Sequence, residues 1–180
     1  MSRKIQNIID HYRKWRIENP DTWIKFTAVQ KNCADAICVA ALSLNHLGKK
    51  NNHQKRLKNV NLESFKNNLL KRQTDIAHAT DFHNLLKIVE ECKVKGIADV
   101  ACYDIANRLG NRLGKNPDYV YLHAGTRKGL ENLLDYKVKA KYIKKSDLPE
   151  PFKSSTLTCH EIEDILCIYK DRLKKAHNKT

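Results

Sequence analysis

V-K-G-I-A-D-V-A-C-Y-D-I-A-N-R-L-G, residues 94–110, joins one helical pattern to the next with almost no chain between them. The incoming pattern is expected to stop at Gly96, a residue that takes positive φ at no steric cost. An apolar residue, Ile97, and a small one, Ala98, follow, and a second helical period starts at once. The outline is a helix-hairpin-helix, a tight αα turn. Its backbone N–H groups and the N-terminus of the following helix are suited to hold an oxyanion such as phosphate.

Composition agrees with a helical protein built around that turn. The chain has 180 residues, of which 41% are apolar and 7% aromatic, which excludes global disorder. That size fits one domain, or two small helical lobes sharing a core. Only six glycines and four prolines occur, and β-branched alternation is scarce. The expected fold class is therefore all-α, two helical lobes around one continuous core, with the hairpin at residues 91–101 on a basic face.

Charge points to the partner. Thirty-four Lys and Arg oppose twenty Asp and Glu, a net charge of +14. Such an excess favours a polyanion, through phosphate neutralisation and counterion release. Double-stranded DNA is the expected partner, and a monomer the expected state.

The six cysteines lie inside apolar helical patterns, with no C-x-x-C, and read as buried reduced thiols. Metal ligation is not expected, since His78 and His83 are five apart, off a shared helical face. Met-Ser-Arg-Lys leads into a mixed polar helix rather than a secretory signal. No apolar run approaches the roughly 18 residues needed to cross a bilayer. A cytoplasmic, reducing location with no membrane partner is the expectation.

Along the chain, residues 3–17 read as an amphipathic helix with Ile5, Ile8, Ile9, Tyr12 and Trp15 inward. Asn19-Pro20-Asp21 breaks it, and Asp21 caps the next turn. Residues 33–47 form the most apolar stretch, a central helix ended by Gly48. Residues 49–58, K-K-N-N-H-Q-K-R-L-K, read as a mobile basic loop, with Lys55 and Arg56 as phosphate contacts or else a solvated linker. Helices are expected from about Leu62 to Ala77 and from about Asp81 to Cys92. The hairpin and its second helix fill 86–113, and Asn116-Pro117-Asp118 turns the chain into a short extended piece, Tyr119–His123. Thr126 is expected to cap a helix through Leu134. Residues 135–155, with Pro149 and Pro151, read as a long surface connection. Thr158 and Glu161 form a capping box for the last helix. Residues 176–180 are expected to fray.

A phosphate-gripping hairpin needs small residues at its first and third turn positions, so that its amides face outward. Gly96-Ile97-Ala98 supplies them, with alanine in place of the usual second glycine, and Lys95 adds charge. V-K-G-I-A-D-V-A-C-Y-D resembles the L-P-G-V-G-x-x-T-A hairpin of the helix-hairpin-helix DNA glycosylases, over about residues 85–130. The resemblance implies a two-lobed helical enzyme that flips a nucleotide out of the duplex and cleaves its N-glycosidic bond. Two family features are not matched. The lysine of bifunctional members falls near Val100, and the catalytic aspartate of a V-D-T-H-like segment falls at Tyr121, in V-Y-L-H, with Asp118 available only on a shifted register.

Candidate chemistry follows from what glycosidic cleavage requires. Positive charge develops on the sugar, so a carboxylate and a proton donor are wanted. Asp104 is the leading carboxylate, with Arg108 four residues on; the pair would equally serve as a surface ion pair worth a few tenths of a kcal/mol. The segment Tyr119 to Arg127 supplies the rest. Tyr121 could stack on a flipped base, His123 could donate a proton, and Thr126 and Arg127 begin a helix suited to an anion. Trp15 and Trp23 belong to the core on their spacing. The reading is a DNA-binding, glycosylase-like protein without cofactor, in which Lys95, Gly96, Ile97 and Ala98 hold the strand. A non-enzymatic nucleic-acid module, an inhibitor of a nucleic-acid site, and an RNA-binding helical protein are the alternatives.

Overall fold

Asn-Pro-Asp occurs twice, at residues 19–21 and 116–118, and both copies lie where the chain passes between two compact units. In the computed structural model, which describes residues 2–177, one unit comprises residues 21–116 and the other residues 1–20 with 117–180. Proline cannot continue a helix, and aspartate readily starts one. Asp21 does so, its carboxylate accepting from the Trp23 and Ile24 amides at 3.0 and 2.9 Å.

The central unit holds α2 (Thr22–Ala28), α3 (Cys33–Ala41), α4 (Asn59–Lys71), α5 (Gln73–Ala77), α6 (Phe82–Glu91) and α7 (Asp99–Leu113). α7 packs on α2, α3 and α6. On α6 the spacing Phe82, Leu85, Leu86, Ile88, Val89 buries all five side chains, as their 3.6-residue period requires.

Two helices are shorter than the apolar pattern suggests. The expected helix 33–47 ends at Ala41, because Ser43 turns to a left-handed φ of 56° and Leu44 pairs with Lys50. The Asn45 side chain then accepts from the Leu47 and Lys49 amides, both at 3.0 Å, and closes a tight loop that leaves Leu47 exposed. The expected helix 62–77 is divided at Arg72 into α4 and α5.

The other unit holds α1 (Ser2–Glu18), β1 (Tyr119–Tyr121), α8 (Ala124–Leu134), β2 (Tyr142–Lys144), α9 (Cys159–Ile168) and α10 (Lys170–His177). Its core gathers Ile5, Ile9 and Tyr12 with Val120, Leu130, Phe152, Ile162 and Leu166. α8 packs on α9 through glycines. A Cβ at Gly129 would lie 1.9 Å from the Leu166 carbonyl oxygen, and one at Gly125 would lie 2.5 Å from Cys167 Sγ. The Thr158–Glu161 capping box opens α9 as expected, but Tyr169 breaks the last helix in two and Ile168 is exposed.

Residues 135–155 are not a mere surface connection. They contribute β2, antiparallel to β1 with Tyr119 opposite Lys144, Val120 opposite Ile143 and Tyr121 opposite Tyr142. Leu148 and Phe152 anchor the segment in the core. This two-stranded ribbon is the one sheet among the described residues of an otherwise mostly helical architecture. The stretch 176–180, expected to fray, lies largely outside them. No disulfide joins the six cysteines, and no described helix is long and apolar enough to cross a membrane.

Candidate nucleic-acid interface

α6 ends at Glu91, close to the expected Cys92 and five residues before Gly96, and Asn68 of α4 holds the chain there. Its Nδ2 donates to the Cys92 carbonyl at 3.1 Å. A β-turn then runs from Val94 to Ile97, closed by the Ile97 amide donating to the Val94 carbonyl at 3.1 Å. Gly96 occupies its third position with φ +91°, the conformation that such a turn assigns to glycine.

Side chains in this turn alternate between solvent and core. Lys95, Gly96 and Ala98 are exposed, and Ile97 is buried. Ala98 is the N-cap of α7, and no side chain caps that helix. Lys93 pairs with Asp99 at 2.6 Å, which offsets the acidic charge in the first helical turn. Asn61, in the first turn of α4, reaches the glycine so closely that a Cβ there would lie 2.4 Å from its Nδ2.

The basic loop before α4 is docked rather than mobile. Gln54 is buried, and its amide inserts between two residues of α7. Nε2 donates to Asp104 Oδ2 at 2.6 Å, and Oε1 accepts from Arg108 Nη2 at 3.1 Å. Trp23 Nε1 holds the Lys49 carbonyl at 3.1 Å. Lys55, Arg56 and Lys58 stay exposed at the surface of the same unit as the turn.

Arg108 is not the surface contact that its spacing suggested. It is 3% exposed, and its guanidinium donates to the Ala40 carbonyl at 3.1 Å, Ser43 Oγ at 3.0 Å and Gln54. Burial pushes its pKa down, and the charges of Asp104 and Asp21 oppose that shift. Asp104 is half-buried on the next turn, so the pair forms an internal brace and not an exposed ion pair.

The other expected cluster lies in the second unit. Tyr121 is only 5% exposed, so its ring is not presented as a stacking surface. His123 is half-buried at the N-cap of α8 and makes no side-chain cap there. Thr126 does not start the helix. It sits inside α8, fully buried, with its hydroxyl on Glu163 Oε1. Arg127 holds the Leu122 carbonyl, just after β1, at 3.0 Å and the Val138 carbonyl in the segment leading to β2. Gly125, just before Thr126, packs against α9 and has no positive φ. Of the residues named in sequence, the structure brings Asp104 and Arg108 together through Gln54, and Tyr121, His123, Thr126 and Arg127 around one strand-to-helix junction.

His160, Glu163 and Asp164 place ligand atoms within 4.8 Å of one another. Thr126 already donates to Glu163, while Tyr12 and Arg16 each donate to Asp164 at 2.9 Å. The group is a polar joint between α1, α8 and α9. Sequence reasoning missed Gln54 and Tyr142. The first lay in a polar run without a period, and the second in a strand too short to show alternation. No family model, no characterised protein and no solved structure matches the chain.

Proposed function

We propose that this protein binds DNA, gripping the backbone of the duplex at the Val94–Ala98 turn. The observation that carries the reading is the alternation of that turn: glycine and alanine outward, isoleucine inward, and an uncapped helix directly behind. The turn and the N-terminus of α7 lie at the surface beside Lys95, in a chain of net charge +14. Lys55, Arg56 and Lys58 on the same unit add sequence-independent attraction.

Binding by the full chain to a labelled duplex, read by fluorescence anisotropy, tests this. Ala98→Glu and Lys95→Glu place a negative charge on exposed positions with ordinary backbone conformation. Each is expected to weaken duplex binding about tenfold and to make the salt dependence shallower. Unchanged affinity in both variants overturns the hairpin reading.

A second reading extends the first to N-glycosidic cleavage, with Asp104 as the carboxylate. It is favoured by one observation: Asp104 is half-buried on α7, behind the turn, with its orientation fixed by Gln54. A carboxylate so placed stabilises positive charge on a sugar better than a solvated one. Alkali-labile scission of duplexes carrying modified bases, lost in Asp104→Asn with binding intact, would support it. Tight binding without scission leaves a non-enzymatic module.

A further inference from the structure

We propose that the outer face of the β1–β2 ribbon is a stacking site for an unpaired nucleotide, with Tyr142 as the platform and Lys139, Lys141 and Lys144 holding the strand. The inference rests on the nucleic-acid reading above but uses a different surface. Register decides which side chains share a face. Val120 and Ile143 are opposite one another and pack toward the core. The other two pairs, Tyr119 with Lys144 and Tyr121 with Tyr142, therefore face the opposite way.

On that face the three tyrosines form a cluster with one member presented. Tyr121 is buried, whereas Tyr142 remains 41% exposed. The Tyr142 ring lies 4.8 Å from Tyr119 and 5.8 Å from Tyr121, centroid to centroid. A ring braced on two sides loses little rotamer freedom when a base covers it. The expected stacking residue, Tyr121, thus supports a platform that its strand partner provides.

Charge along β2 and the segment leading into it is of one sign. Residues 137–145 read K-V-K-A-K-Y-I-K-K, five lysines and no acid. Two of the five are committed: Lys137 to Glu131, and Lys145 to the carbonyls of Ser155 and Leu157. Lys139, Lys141 and Lys144 are exposed, and none carries an ion pair among the described residues. An aromatic ring set among backbone-reaching cations is the arrangement by which proteins hold single-stranded nucleic acid. A duplex hides its base faces within the stack, so the ribbon selects an unpaired segment.

The test is anisotropy with labelled dodecathymidylate on the full chain, on Tyr142→Ala, on Tyr142→Phe, and on the triple variant K139E/K141E/K144E. Expected are a roughly tenfold loss in Tyr142→Ala, near-parental affinity in Tyr142→Phe, and a larger loss with a shallower salt dependence in the triple variant. Thermal melts of each variant establish folding, and the lysine variant tests the site even if Tyr142→Ala unfolds. Absent binding of the single strand by the parent chain, or parental affinity in either Tyr142→Ala or the triple variant, overturns the assignment. A glutamate dodecapeptide that binds more tightly than the strand, through the lysines but not Tyr142, overturns it in favour of an acidic protein partner. Duplex binding lost in Ala98→Glu and kept in Tyr142→Ala separates failure of the ribbon from failure of the hairpin.

Discussion

Gln54 Nε2 lies 2.6 Å from Asp104 Oδ2, and the same amide accepts from the buried Arg108 guanidinium. The loop that carries Lys55 and Arg56 is therefore tied to α7 through a neutral side chain. Removing it withdraws an acceptor from a desolvated cation. Gln54→Ala is expected to cost roughly 1–3 kcal/mol in urea denaturation, the range for a buried group left unsatisfied. Asp104→Asn keeps an acceptor for Gln54 but removes the charge beside buried Arg108, so it should cost roughly 1–3 kcal/mol, and the scission assay is read on protein whose melt shows it folded.

The two glycines of α8 should respond unequally to alanine. At Gly129 the obstacle is the Leu166 backbone carbonyl, which moves only with its helix. At Gly125 it is the Cys167 thiol, which has other rotamers. Gly129→Ala is expected to cost about 2–3 kcal/mol or more, the upper range for overpacking, and Gly125→Ala less than half of that. Cys167→Ala in the Gly125→Ala background should recover stability, and in the Gly129→Ala background should not. Denaturation midpoints of the five proteins decide it.

What could be read from sequence follows the length and closeness of each signal. The paired Asn-Pro-Asp breaks, the inward face of α6 and the α9 capping box rest on local chemistry, and the structure has them. Boundaries failed where a turn interrupts an apolar run, as when Ser43 takes a left-handed φ and α3 stops at Ala41 rather than reaching Leu47. The site suffered more. Arg108 and Thr126 carry surface chemistry in their residue type, yet partners more than thirty-five positions away in sequence, Ala40, Ser43, Gln54 and Glu163, turn them inward. Thr126 and Arg127 look like an anion seat in sequence because they are placed at the start of a helix. Here the neighbouring glycines, Gly125 and Gly129, serve the approach of α9.

Asp81 should make stability depend on acid. Its carboxylate accepts from the Asn84 amide at 2.8 Å, which holds its pKa below the usual carboxylate value. A depressed folded-state value adds stability above the unfolded pKa, about 3.9, and that stability is lost as pH falls through the folded value. Asp81→Ala is expected to cost about 1 kcal/mol near pH 7. The gap between the two proteins should narrow in acid, as urea midpoints at pH 7 and pH 3 would show.

Thiol labelling should follow burial. Burial pushes the Cys102 thiol up to about 12, while Cys92 and Cys159 are raised in the same direction by the same cause. A raised folded-state value means full stability below the ordinary thiol range and loss as pH climbs toward the folded value. Iodoacetamide on the native protein near pH 8, read by mass spectrometry, should modify half-buried Cys38 and Cys167 well before Cys102.

Gly96 carries two separable constraints, and separating them protects the functional test. Its φ of +91° disfavours any side chain, and a Cβ would also meet Asn61 Nδ2 at 2.4 Å. Gly96→Ala should cost roughly 1–2 kcal/mol from the backbone alone. The contact adds less, because the far end of an asparagine can swing away. Asn61→Ala in the Gly96→Ala background should therefore recover only a small part of the loss, as chemical denaturation would measure. Full recovery would mean that the turn tolerates a side chain and that sterics, rather than φ, select glycine. A bulky acidic substitution at this position mixes strain with charge repulsion, whereas Ala98, with φ −88°, takes a glutamate without strain. Duplex affinity lost at position 98 but retained in a folded Gly96→Ala protein would place the phosphate at the start of α7, beyond the glycine.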